Sequence, residues 1–131
     1  MPKTQDPNEK PCGELVIRTL AMPSDTNANG DIFGGWLVSQ MVLGAGIAAK
    51  QCSKGRTVTV AINEMVFKRP VHVGDAISCY ADIIHVGNTS MKIKVQAWAV
   101  PADHHLAYKV TEGIFTFVAI DKHGKPRKVK A

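Results

Sequence analysis

The sequence predicts an α+β domain, one antiparallel sheet of about five strands wrapped around one long apolar helix. Three observations point to it. From Ile32 to Ala49 the chain runs 18 residues without a charged side chain, and Leu37, Met41, Ala45, Ala48 and Ala49 recur at helical spacing. One short β-branched run precedes this stretch and four longer ones follow it, separated by Gly, Pro and Asn turn signals. A helix apolar on every side belongs inside something, and a curled sheet meets that need while burying one face of each strand.

Taken in order, MPKTQDPNEKPC is polar and proline-bearing. Residues 1–12 are expected as a disordered arm with no secretory leader. Glu14 to Leu20 (ELVIRTL) reads as a short strand, with Leu15, Ile17 and Thr19 on one face and Val16, Arg18 and Leu20 on the other. Met22-Pro23-Ser24-Asp25 ends it. A polar loop containing Asn27, Asn29, Gly30 and Asp31 then leads through Gly34-Gly35 into a helix expected over residues 35–52. Its small residues (Gly44, Ala45, Gly46, Ala48 and Ala49) permit close approach of other backbone. A membrane span is the competing reading, since about 18 uncharged residues is the lower limit for crossing a bilayer. Ser39, Gln40 and the glycines within the run, and the absence of a second apolar segment, argue for a buried axis instead.

After the Lys54-Gly55-Arg56 turn, Thr57 to Phe67 (TVTVAINEMVF) changes face midway, which predicts a bulge near Asn63-Glu64 or burial on both sides. Lys68-Arg69-Pro70 stops this strand and Val73-Gly74-Asp75 turns the chain. Ala76 to Val86 is the third strand. Thr89 to Val100 alternates most cleanly, with Met91, Ile93, Val95 and Ala97 inward and Lys92, Lys94 and Gln96 outward. A loop at Pro101 to His105 precedes a last strand over Leu106 to Asp121, with a bulge or bend expected at Gly113. The single domain is expected over residues 13–123, followed by a basic tail, 124–131, read as a solvated end. A sheet curled over one helix keeps an open edge, which pairing in a dimer would cover.

Composition narrows the function classes. A 131-residue chain with 45% hydrophobic and 21% charged residues is an ordinary globular domain. Three cysteines without metal-site spacing (Cys12, Cys52 and Cys79) read as reduced thiols of a cytoplasmic protein, and no metal or cofactor is expected. The formal charge of +5 points to an anionic partner. Nucleic acid is disfavoured, because no helix-turn-helix or aromatic RNA-binding pattern is present. A phosphorylated small molecule accounts for the charge with less.

The block RTLAMPSDTNANGDIFGGWLVSQM (Arg18 to Met41) closely resembles the YciA-type bacterial acyl-CoA thioesterases of the hotdog fold. GRTVTV (Gly55 to Val60), FKRPVHVGD (Phe67 to Asp75), VGNTS (Val86 to Ser90) and FVAIDKHGKPR (Phe117 to Arg127) extend the resemblance along nearly the whole chain past residue 13. It implies hydrolysis of acyl-CoA thioesters, a homo-oligomer with the site at a dimer interface, and commonly a trimer of dimers.

The residues fit that chemistry in part. Gly34 and Gly35 at the helix start expose N–H groups that lack an intrahelical partner and can hold a thioester oxygen as negative charge builds on it. Tight packing of the helix entry would also call for glycine there. Asn29 reads as a cap or turn former, and Asp31 either as a cap or as a polar group beside the thioester, the position where the resemblance implies one. Arg56, Lys68 and Arg69 are candidates for the coenzyme A phosphates, each also readable as a solvated charge. The turn Gly87-Asn88-Thr89-Ser90 offers N–H and hydroxyl donors. The five histidines pair with no nucleophile, and His104 and His105 are expected in a solvent-facing loop.

One departure stands out. By resemblance the catalytic carboxylate follows the methionine of the helix motif, here Met41, and the next residue is Val42. Position 42 lies seven residues after Gly35, on the same helical face, with Ser39 between. Valine supplies neither a base nor a nucleophile. The expectation is therefore an acyl-CoA thioesterase impaired at position 42, either by a deliberate substitution or as a natural member that has lost hydrolysis. A non-catalytic acyl-CoA-binding or sensing protein is the alternative.

Overall fold

The computed structural model describes residues 9–103 and 106–130. Five strands and one long helix follow in the order β1 (Glu14–Leu20), α1 (Gly34–Ser53), β2 (Thr57–Phe67), β3 (Ala76–Val86), β4 (Ser90–Val100) and β5 (Tyr108–Ala119), with a short 3₁₀ turn at Pro23–Asp25. The strands form one antiparallel sheet in the order β1-β3-β4-β5-β2, so β1 and β2 are its edges. The helix lies in the concave side and touches all five strands.

The core is the meeting of one helix stripe with the inward residues of the central strands. Leu37, Met41, Gly44, Ala45 and Ala49 bury one side of α1. Against them stand Met91, Ile93, Val95 and Ala97 of β4, all at 0% exposure, with Phe115 and Phe117 of β5. Gly44 is where helix and sheet come closest. A Cβ there would sit 2.7 Å from Val16 Cγ2 and 3.3 Å from Ile17 Cγ2. Gly44→Leu is expected to lower stability by about 2–3 kcal/mol through overpacking, read as a drop in the denaturant midpoint at unchanged slope.

Several expectations change once the elements are assembled. The helix is not buried all round: its outer side leaves Leu43 at 55% and Ile47 at 41% exposure. The uncharged run reflected two apolar sides, of which the protomer's own sheet covers one. The bulge expected near Asn63 is present, with a second irregularity at Thr59/Ala61. Gly113 is regular on the β4 side only, and on the β2 side it stands opposite the Asn63/Val66 bulge. It pairs directly with Val95, and the β4–β5 register shifts instead at Ala97/Trp98, skipping Val110. The bulged β2 lays Met65 across Gly113, where a Cβ would lie 2.9 Å from Met65 Cε. Gln96 does point to the outer face, yet it is only 4% exposed. Its Oε1 accepts from Cys12 N–H and Trp98 Nε1–H, each at 3.0 Å.

That outer face holds a small buried polar group. The Lys109 ammonium lies 2.6 Å from Glu9 and 3.0 Å from Glu112. Burial works against its charge, but the hydrogen bonds to both carboxylates outweigh this and keep its pKa above the ordinary lysine value. Glu9 and Cys12, at the end of the expected arm, thus lie on the sheet; residues 1–8 fall outside the described residues, as do His104 and His105. At the other terminus the segment read as a solvated tail is packed. Val129 is 2% exposed within the core cluster, and Ile120 bridges Pro126.

Candidate functional site

The entry to α1 is built by a pinned loop. Asn27 organises it: its Oδ1 accepts from the N–H groups of Asn29 (2.9 Å) and Asp31 (3.1 Å), and its own N–H donates to Asp31 O at 2.7 Å. Gly30, at φ +86°, takes the left-handed conformation this tight turn requires. Phe33 N–H then donates to Asp25 O at 2.7 Å and Ile32 N–H to Val71 O at 3.4 Å, aiming the helix start along the sheet. Asn29 and Asp31 are both exposed. Neither caps the helix, because the N-cap is Phe33, without a side-chain cap. The residue that sequence reasoning passed over is Asn27, and its signal was the Asx-turn spacing to Asn29 and Asp31.

With no cap, the first amides stay open. Trp36 and Leu37 donate to Phe33 O, whereas among the described residues nothing accepts from Gly34 or Gly35 N–H. The positive end of a 20-residue helix stands behind them. Phe33, 55% exposed, lays its ring over Gly35, where a Cβ would overlap it. Gly34 lines a cleft of about 180 Å³ together with Ile32, Leu37, Phe67, Arg69 and Val71. This is a largely apolar slot at the helix entry, and Gly34, whose N–H has no intrahelical partner, is one of its lining residues. Arg69 stands beside it with Nη1 donating to Lys109 O at 2.5 Å, and Lys68 is half-buried with its N–H on Val110 O at 2.8 Å.

Position 42 sits two turns further along α1. Val42 is half-buried and packs against the core, about 10 Å along the axis from Gly35. Ser39, between them, donates to Trp36 O at 2.6 Å. The helix carries no acidic residue anywhere along its length.

Residues 29–102 match the profile of the thioesterase superfamily. The chain belongs to that superfamily. It is 52% identical over 120 residues to the acyl-CoA thioester hydrolase YciA of Escherichia coli K12, covering 89% of this chain and 91% of that one. It superposes with a TM-score of 0.88 on the hexameric thioesterase y2039 of Yersinia pestis, at 53% identity over 91% of this chain and 97% of the other. With a TM-score of 0.87 and 50% identity, covering 90% and 87% of the two chains, it also matches an aspartate-to-alanine mutant of HI0827, a hexameric broad-specificity acyl-coenzyme A thioesterase. The sheet curled around α1 is the superfamily's hotdog fold.

Against that fold, the cations expected to grip coenzyme A do not form one cluster. Lys68 and Arg69 lie at the helix-entry end. Arg56 lies at the opposite end of β2, about 33 Å away for an 11-residue strand. The Gly87–Ser90 turn joins Arg56 there: Arg56 O accepts from Ile120 N–H (3.0 Å) and Thr89 O from Ala119 N–H (2.9 Å). Gly87 N–H donates to Ser90 O at 2.8 Å, which closes the turn. Arg56 is exposed, so its guanidinium is available to a ligand. Among the described residues no group of His, Cys, Asp and Glu is arranged to hold a metal. The three cysteines are free thiols, and burial pushes that of Cys79 up to about 12. Among the described residues no helix is long and apolar enough to cross a membrane.

Proposed function

We propose that this chain binds acyl-CoA as a thioesterase of the hotdog superfamily, that the site is completed by a second copy, and that hydrolysis is impaired because position 42 is valine. The observation that carries the reading is the pair of open amides at Gly34 and Gly35, the first of which lines an apolar cleft, in a chain 52% identical to a named acyl-CoA thioester hydrolase. Those N–H groups take the thioester oxygen, and the helix dipole stabilises the oxyanion of the tetrahedral intermediate.

Two separations support a shared site. A carbonyl held at Gly35 and a base at position 42 of the same helix are about 10 Å apart along the axis. An attacking water spans only about 3 Å to each partner. The nucleotide-end candidates, Arg56 and Gly87–Ser90, lie at the far end of the protomer from the helix entry. Antiparallel pairing of two β2 edges around a two-fold axis brings the Thr57 end of one strand beside the Phe67 end of the other. Arg56 and the Gly87–Ser90 turn of one copy then serve the helix entry of its neighbour. An exposed apolar edge favours this: Val58, Val60, Ile62, Val66 and Phe67 of β2 are all 40% exposed or more.

The second reading is a protein that binds acyl-CoA without hydrolysing it, and Val42 is the observation in its favour. Both readings share the nucleotide grip. Arg56→Ala is expected to weaken coenzyme A binding by about 1–2 kcal/mol, with the difference shrinking as salt rises. Isothermal calorimetry checks it, and an unchanged affinity removes Arg56 from the site.

A further inference from the structure

The last ten residues carry five lysines and arginines. Lys122, Lys125, Lys128 and Lys130 are exposed, whereas Arg127 turns inward. Its guanidinium donates to three backbone carbonyls: Nη2 to Ser53 O (3.0 Å), Nη1 to Lys128 O (3.0 Å) and Nε to Ile120 O (3.3 Å). Ser53 is the last residue of α1, so the charge sits at the negative end of the helix dipole. Among the described residues no carboxylate pairs with it. The guanidinium lies against Gly55, where a Cβ would overlap it as placed.

The chain around Arg127 is tied to a different part of the fold. Arg127 N–H donates to Ala119 O (2.9 Å), and two residues later Val129 N–H donates to Asn88 O (2.9 Å), with the Val129 side chain sealed in the core. Ala119 N–H in turn donates to Thr89 O, and Ile120 N–H to Arg56 O. One short segment thus locks together the helix end, the start of β2 and the turn before β4. Those last two elements carry Arg56 and Gly87–Ser90. The Arg127 donors are thus spent on carbonyls of the protein rather than aimed outward.

We infer that residues 126–129 form a clasp that sets the geometry of the nucleotide end of the coenzyme A site, with Arg127 as a positioning residue that acts through Arg56 and the Gly87–Ser90 turn. The inference rests on the reading that this end receives the nucleotide of coenzyme A. A planar fork suits this arrangement, because the three carbonyls are served from three separate nitrogens, whereas a lysine would have to serve them from one.

The test compares Arg127→Ala, Arg127→Lys and Arg56→Ala with the unaltered chain. Coenzyme A binding is measured by calorimetry and S-acetylpantetheine, which lacks the nucleotide, by ligand-observed NMR. Both Arg127 variants are expected to lose coenzyme A affinity about tenfold, the scale of one charge-assisted contact, while S-acetylpantetheine binding stays within twofold. Hydrogen exchange is expected to quicken at the Val129 and Ala119 amides, which hold Asn88 and Thr89. Full affinity in Arg127→Lys overturns the positioning role in favour of plain charge. Equal loss of both ligands overturns it in favour of a general structural role. Unchanged coenzyme A affinity in Arg127→Ala with a loss in Arg56→Ala overturns the clasp alone, and unchanged affinity in both overturns the site reading with it. Should the alanine variant fail to fold, Arg127→Lys carries the same comparison.

Discussion

The Val42→Asp variant is expected to release free thiol from a short-chain acyl-CoA at least about a hundredfold faster than the chain with valine. The proposed chemistry otherwise rests on the open Gly34 and Gly35 amides, the apolar cleft that Gly34 lines and the helix dipole behind them. On the proposed reading, what valine at position 42 withholds is a group that removes a proton from water or attacks the carbonyl itself. General-base catalysis contributes about 10²–10⁴-fold, and no acidic side chain elsewhere on α1 substitutes for it. A carboxylate at this half-buried position costs about 1–3 kcal/mol of stability where it is dry, and less where water reaches it. Rate and melting temperature should therefore move in opposite directions. Equal rates for the two proteins would place the catalytic carboxylate elsewhere, and Asp31, exposed in the loop before the helix, is the first to test.

The second large effect concerns the β2 edge. Val60 and Ile62 are 55% and 40% exposed, near the middle of a strand that pairs only with β5. In a two-fold pairing each copy meets its counterpart, so a single substitution acts twice. Val60→Lys combined with Ile62→Lys places unpaired ammonium groups at that contact, a loss of about 3 kcal/mol or more and hence over a hundredfold in association. Sedimentation should show the variant at the mass of one chain at micromolar concentration, where the unaltered protein is expected to sediment as an oligomer. Coenzyme A affinity should fall with it, because the nucleotide end and the helix entry then belong to separate molecules. An oligomer that persists in the variant would move the interface away from β2. The exposed Leu43 and Ile47 on the outer side of α1 would then be the surface to probe.

The sequence by itself determined the elements, because each carries its own periodicity. The uncharged run, with its polar interruptions, pointed to the axis, the alternation of β4 named four of its core residues, and the face switch in Thr57 to Phe67 announced the bulge. The Gly34-Gly35 pair at the helix start was legible as well, since backbone access is a property of residue type, and the proposal at position 42 rests on residue type in the same way. The tertiary structure decided what depends on residues distant in sequence. Gly113 looked like a bend and proved to be a seat for Met65, a contact that only β2–β5 pairing creates. Gln96 was rightly placed outward, but its cover comes from Cys12 and Trp98. Arg56 and Lys68 are twelve residues apart along one extended strand, so they stand at opposite ends of the protomer, and only folding shows that the Gly87–Ser90 turn belongs with Arg56. The basic tail misled for the same reason: its composition is that of a solvated end, while Arg127 finds the helix terminus and Val129 the core only once α1, β2 and β4 have converged.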